Sequence, residues 1–337
     1  MSNINVCFFH QNCNDGLMAA YAVWEKAKST TLCIPITYPE FEKQTPDEFM
    51  EMCFNDKLPT AVTSSSFSFG FSMLMKKAKT EVIVYLVDIS VPKEILRRIS
   101  ETFRSVVVLD HHESANNIYK NDSEFEATIL SDNLTGYVFN KNVRIFMDSV
   151  NSGAYLAWRY MNPGEREVPY PVQLVSEYDT WNKKDKNADY FAAGFRAKNC
   201  RSLKEVDYVF NNVKETIELG IVMDKERENR SRAAIAKRVE IDIRHNGEVY
   251  KAAIVNSNMD LSSIIGMNLC ADHKYDIGLT YTIVGDNKVA WSIRSSKPTS
   301  CLFVATYFGG GGHAQACGFG TDLNYLVYLL NTKTMII

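Results

Sequence analysis

Three short, mostly apolar runs each stop abruptly at a residue able to bind a cation, and this pattern limits the possible folds more than any other feature. Asn5–Phe9 runs into His10, Val82–Val87 into Asp88, and Ser105–Leu109 into Asp110, His111 and His112. Runs of this length and composition read as strands buried on both faces. Gly16–Lys28 reads as a helix with Ala19, Ala20, Val23 and Trp24 on its packed side. Pro92 opens another helix through Arg98, where proline suits the first turn. Strands alternating with helices at this spacing predict an α/β fold, a mainly parallel sheet with helices on both faces. Ligands of such sheets collect beyond the carboxyl ends of the strands, so the polar residues ending the runs should converge in one crevice.

A chain of 337 residues suits two domains, each with its own core. Residues 1–202 form the expected first domain. Residues 203–244 read as a helical linker, because Val206, Val209, Phe210, Val213 and Ile217 recur at helical spacing. Residues 245–337 follow as a smaller α/β domain, with the turn residues Asn246-Gly247 at its start. Within it, Val249–Val255, Ile277–Val284 and Val289–Ile293 read as strands, and Ser262–Cys270 and Thr299–Tyr307 as helical stretches. Between Glu40 and Lys79 the pattern is irregular, with a serine- and phenylalanine-rich patch at Ser64–Ser72 that reads as an excursion from the sheet or a lid.

Composition narrows the function classes. A formal charge of −3 argues against coating long nucleic acid through a broad basic surface, but leaves a small anion held by a few local cations. Eight cysteines without a Cys-x-x-Cys pair signal neither a structural zinc site nor a disulfide framework, and free thiols suit a reducing compartment. No apolar stretch reaches membrane-spanning length, so no membrane partner is expected and the expected location is cytoplasmic.

Carboxylate oxygens and imidazole nitrogens suit Mn²⁺ or a similar divalent ion. Asp110-His111-His112 alone would be a weak signal; His10, Asp15 and Asp88 beside neighbouring strand ends strengthen it. At this point the chain resembles the DHH phosphoesterase superfamily, specifically members with a C-terminal DHHA1 domain. His10-Gln11-Asn12-Cys13-Asn14-Asp15-Gly16 is similar to the first motif, Val87-Asp88 to the second and Leu109-Asp110-His111-His112 to the third. Ser176-Glu177-Tyr178-Asp179-Thr180-Trp181 resembles the fourth. The run from Gly309 to Phe319, containing His313, is similar to the DHHA1 glycine motif, and Trp291–Ser295 resembles the strand before it.

The resemblance implies that His10, Asp15 and Asp88 hold one metal, and that Asp88, His111 and Asp179 face a second. Asp110 and His112 would orient ligands or contact substrate, with His112 a proton donor to the leaving group. The cofactor implied is Mn²⁺ or Mg²⁺, acting on a water that attacks phosphorus. One departure matters: where many relatives carry a second aspartate, this chain has Leu17, with one extra residue between His10 and Asp15. The expectation is therefore one firm metal site and a second that is weaker or completed by substrate phosphate.

In the second domain, backbone N–H groups of Gly310, Gly311 and Gly312 are expected to approach an anion, with His313 adding a donor. Arg294 could pair bidentately with phosphate. Other candidates have plainer readings. Glu177 reads as a supporting or surface carboxylate, and His245 and His273 as turn or surface residues. Trp181 reads as a base-stacking ring or as a core or hinge residue, and Ser152-Gly153-Ala154 as the start of a closely packed helix. Lys225, Arg227, Arg230, Arg232, Lys237 and Arg238 read as a solvated helix face, and Cys7 and Cys13 as packing residues.

The expected protein is a phosphoesterase with its active site between two α/β domains. It would hydrolyse esters in small nucleotides, short oligonucleotides or cyclic dinucleotides, with a homodimer left open. Two alternatives stand beside it: a catalytically weak nucleotide-binding protein of the same fold, and a single-strand nucleic-acid end exonuclease.

Overall fold

The alternation that marks the strands also explains how the first sheet is covered. In the computed structural model, which describes residues 3–37, 44–54, 80–129, 135–165, 167–182 and 184–337, the chain divides into two compact units, Met1–Met223 and Asp224–Ile337. The Ser64–Ser72 patch lies outside the described residues. Val6, Phe8, Val84, Leu86, Val106 and Val108 pack into one hydrophobic cluster. Their neighbours Cys7, Phe9, Tyr85, Val87, Val107 and Leu109 pack into another. A period of two with both faces buried is the signature of a sheet between helical layers. Phe8, fully buried, illustrates the energetics: its replacement by alanine would cost about 3–5 kcal/mol.

The first unit contains β1 (Ile4–His10), α1 (Asn14–Lys26), β2 (Thr31–Ile36), α2 (Pro46–Phe54), β3 (Val82–Val87), α3 (Lys93–Thr102), β4 (Ser105–Asp110) and α4 (Glu113–Asn121). It continues through β5 (Phe125–Ile129), β6 (Thr135–Phe139), β7 (Val143–Met147), α5 (Gly153–Met161), α6 (Tyr170–Asp179), α7 (Asn187–Lys198) and α8 (Leu203–Asn211). The sheet order is β2-β1-β3-β4-β7-β6-β5. The five strands from β2 to β7 pair in parallel, and β6 and β5 add an antiparallel edge. Helix α3 turns Ile95, Leu96 and Ile99 to the first cluster, while Arg97 and Arg98 pair outward with Glu124 and Asp47. Helix α1 is buried nearly all round, because α5 and α8 cover the side that faces away from the sheet.

Register fixes what comes next. Phe9 pairs with Val87, and Val87 with Leu109. The residue after each, His10, Asp88 or Asp110, therefore emerges at one level across three adjacent parallel strands. The expected convergence is present.

The expected linker is helical over α8 and over α9 (Val213–Ile235), which crosses the division between the units. Its last residues differ from expectation: Val239–His245 form strand β8, paired with β9 (Glu248–Asn256). Asn246 and Gly247, with φ of 51° and 83°, make the two-residue turn between them, the type I′ connection that Asn-Gly favours. The second unit continues with α10 (Ser262–Cys270), β10 (Ile277–Ile283), β11 (Lys288–Ser295), α11 (Leu302–Tyr307), β12 (Gly311–His313), β13 (Ala316–Asp322), α12 (Leu323–Thr332) and β14 (Thr334–Ile336). Its sheet order is β12-β13-β11-β10-β9-β8-β14. Among the described residues, no helix is long and apolar enough to cross a membrane.

Candidate metal centre

His10, Asp88 and Asp110 bring the strand ends; α1 and α6 add Asp15 and Asp179. Three of the acids are buried where an unpaired charge would be costly: Asp15 and Asp110 are fully buried and Asp88 is 1% exposed. Each has a separate arrangement of partners.

Asp15 accepts the backbone N–H of Gly153 at 2.8 Å and of Ala154 at 3.0 Å. These are donors that the first turn of α5 cannot use internally, and the helix dipole favours the negative charge there. Ser152 caps the same helix, its hydroxyl accepting the N–H of Tyr155. Gly153 is required by proximity, since a Cβ there would lie 2.8 Å from Asp88 Cβ and 3.1 Å from Asp15 Oδ2.

Asp110 is occupied within its own loop. It accepts the backbone N–H of His111 at 2.8 Å and the hydroxyl of Ser90, and its Oδ1 lies 2.7 Å from His112 Nδ1. The bond to Asp110 raises the pKa of His112 against the effect of burial. Asp110 thus sets the ring of His112.

His111 is the hub. Its Nε2 lies 3.2 Å from Asp88 Oδ1, 3.2 Å from Asp179 Oδ2 and 3.8 Å from Asp15 Oδ2. His10 Nδ1 approaches the other oxygen of Asp88 at 3.5 Å. Burial would lower the pKa of His111, but Asp88 and the charges of Asp15 and Asp179 outweigh it and bring it to about 9. Burial, then Asp88 and Asp179, push the carboxyl of Asp15 well up. Burial and Asp88 raise that of Asp179. Asp88 goes the other way: against burial, the approach of His10 and His111 holds it below the ordinary carboxylate range. It also keeps a φ of 55°, in the left-handed region that non-glycine residues seldom occupy.

Two atoms at the middle of this group, Asp88 Oδ2 and His111 Nε2, are buried without a hydrogen-bond partner. Buried polar atoms are nearly always satisfied. A divalent cation would satisfy both, and imidazole and carboxylate donors are the right kind. The residues fit a metal.

The five expected ligands are together. Donor atoms of His10, Cys13 and Asp88 form one group, those of Asp15, His111 and Asp179 another, and Asp88, Asp110, His111 and His112 a third; within each, the atoms lie within 4.8 Å of one another. Asp15 lies with His111 and Asp179, and Asp88 is shared between the other two groups. Cys13, read from sequence as packing, is among the donors. Its thiol is pushed far up by burial and by Asp88 and Asp15. Leu17 packs against the hydrophobic core.

Other residues sort plainly. Glu177 accepts the backbone N–H of Asp185 at 2.7 Å and the amide of Gln173 at 2.9 Å, so it clamps the segment after α6. Trp181 is 75% exposed with a φ of 56°, which rules out the core role. His245 stacks on Phe303 and its Nδ1 lies 3.0 Å from the carbonyl of Ile337, while His273 sits in a turn with φ of 54°. On α9, Arg230 pairs with Asp260 and Arg232 with Glu228, as a solvated face requires. Lys237 and Arg238 differ from expectation, because the helix ends at Ile235, and Arg238 donates to the hydroxyl of Tyr275 and pairs with Glu240.

In the second unit, Arg294 and His313 both pair with Ala316, from opposite sides, and so occupy one row of the sheet. Arg294 donates to Ser263 Oγ at 2.7 Å, Ser292 Oγ at 3.2 Å and the carbonyl of Ile293 at 2.8 Å. Gly311–His313 is an exposed edge strand rather than a loop. The glycines let it lie flat on β13: a Cβ on Gly310 would fall 2.1 Å from the carbonyl oxygen of Gly318.

No family model matches the chain. It is 23% identical over 333 residues to the uncharacterized protein R106 of Acanthamoeba polyphaga mimivirus, a match spanning 94% of this chain and 67% of that protein. Among solved structures, the pGpG-specific phosphodiesterase PggH from Vibrio cholerae is similar with a TM-score of 0.43 and 10% identity, covering 99% of this chain and 100% of that one. A likeness at that level says nothing about chemistry.

Proposed function

We propose that this chain is a metal-dependent phosphoesterase of the DHH type, hydrolysing phosphate esters in small nucleotides, short oligonucleotides or cyclic dinucleotides. One observation carries the reading: His10, Asp15, Asp88, His111 and Asp179 gather at the carboxyl ends of parallel strands, around two buried atoms that lack hydrogen-bond partners. His10, Asp88, Asp15, His111 and Asp179 would hold one or two divalent ions, with Mn²⁺ or Mg²⁺ the expected kinds. A bound cation would lower the pKa of a water and draw charge from the phosphoryl oxygens.

The chain's own residues supply the rest. The oxygen of a water that has given a proton to solvent would bond to phosphorus as the ester P–O bond breaks, and the departing alkoxide needs a proton. His112 is suited to give it from Nε2, since Asp110 engages Nδ1 and fixes the ring. The bond to Asp110 raises the pKa of His112 above its ordinary value. In the second unit, Arg294 and His313 are the groups proposed to bind a phosphate, Arg294 being held ready by Ser263 and Ser292. Gly311 and Gly312 lie exposed on the same edge strand, whereas the N–H of Gly310 is already donated to the carbonyl of Ala305 at 2.8 Å.

The test is a panel of dinucleotides, cyclic dinucleotides and bisphosphorylated nucleotides incubated with Mn²⁺ or Mg²⁺, with product analysis. Turnover should require the ion and vanish in both Asp88→Ala and His111→Ala. Failure of every substrate with every divalent ion sinks the reading.

A further inference from the structure

One donor in the cluster is neither oxygen nor imidazole. Cys13 lies three residues after His10, across a turn in which Asn12 has a φ of 60°, and immediately precedes α1. This His-x-x-Cys spacing returns the sulfur to the imidazole: Cys13 Sγ, a His10 ring nitrogen and an Asp88 carboxylate oxygen lie within 4.8 Å of one another. Asp88, 1% exposed, brings Oδ2 to this side, 3.5 Å from His10 Nδ1 and without a hydrogen-bond partner. The unsatisfied oxygen is an observation independent of the cysteine, and it points to something positive between them.

We infer that Cys13 is a cation ligand, so that His10, Cys13 and Asp88 form a mixed nitrogen, sulfur and oxygen site suited to a borderline-soft ion of the Zn²⁺ or Co²⁺ kind. Thiolate, imidazole and carboxylate together are a zinc donor set, and three protein ligands leave a position open, as in catalytic zinc sites. Thiolate is a poor partner for Mg²⁺, which takes oxygen. The neighbouring Asp15, His111 and Asp179 group keeps only hard and imidazole donors and takes the harder ion. Binding exchanges the S–H bond for a sulfur–metal bond, and the proton leaves to solvent. Cys13 is not fully buried, and its sulfur lies with the donor atoms of His10 and Asp88.

The inference rests on the cluster binding a cation at all, and the experiment separates the two. Metal-free full-length protein is titrated with Co²⁺ while visible d–d absorption and near-ultraviolet thiolate-to-cobalt charge transfer are recorded, for the wild type, Cys13→Ser and Cys13→Asp. Circular dichroism checks that each variant is folded. Expected are both absorptions in the wild type, displacement by Zn²⁺, and loss of the charge-transfer band in Cys13→Ser with d–d absorption remaining. Cys13→Asp should bind Mn²⁺ more tightly than the wild type does. Co²⁺ binding without a charge-transfer band, or a band that persists in Cys13→Ser, overturns the sulfur ligand and leaves the phosphoesterase reading standing. No Co²⁺ binding of any kind overturns both.

Discussion

Gly153 donates its backbone N–H to the buried carboxylate of Asp15 at 2.8 Å, and the same glycine sits where a Cβ would press on Asp88. One residue thus positions two of the acids. Gly153→Ala must push Asp88, Asp15 or the helix aside. Overpacking of this kind costs about 1–3 kcal/mol, measurable as a lower denaturation midpoint. Because misplacement by about 1 Å can cost on the order of 10²-fold in rate, turnover should fall well beyond what the lost stability accounts for. Activity that merely follows the folded fraction would contradict the positioning role.

His112 is expected to protonate the leaving group. His112→Ala should lower kcat by about 10²–10⁴-fold with cation affinity little changed. The deficit should shrink for a nitrophenyl ester, whose leaving group departs without a proton. An equal deficit on both substrates would assign His112 to substrate binding.

The pKa of His111 in the metal-free chain, about 9 against an ordinary 6.5, sets a pH dependence. A raised value means that the charged ring stabilises the fold fully below about 6.5 and that this contribution is lost as pH rises through 9. The raised carboxyl of Asp15 acts in the same direction. Metal-free protein should therefore lose stability between pH 6.5 and 9, and His111→Ala should flatten that slope. A cation needs the neutral ring, so binding near pH 7 should release protons. Calorimetry in buffers of different ionisation enthalpy measures them, and zero release would exclude His111 as a ligand.

Trp181 follows Asp179 by two residues and leaves most of its ring in solvent. Stacking on a base is worth about 1–3 kcal/mol. Trp181→Ala should raise KM for nucleotide substrates by the matching factor with kcat nearly constant, and should leave KM for a phosphodiester without a base unchanged.

Much of the first unit was legible because β1, β3 and β4 are short continuous apolar runs that end on polar residues, a length and composition that suit a buried parallel strand. The β5–β6 edge was not, since only Phe125 of β5 is buried and its pattern resembles a loop. Strand β8 could have been found: Asn246-Gly247 is a hairpin turn, and a hairpin needs a strand on each side. Strand β12 is three residues of glycine and histidine, with no periodicity to detect. At the site, histidine and aspartate announced themselves. Cys13 did not, because cysteine is most often a small buried hydrophobe, and the donor role of Gly153 belongs to its backbone, which every residue shares.

The common level at which β1, β3 and β4 end makes strand length a hidden constant of this protein. Removing one residue from any of the three would draw its final donor back by about 3.3 Å and turn it to the opposite side of the sheet. The stretch from α3 to β4 carries none of these ligands and can vary in length, whereas a single deletion inside one of the three strands would dismantle the cation site.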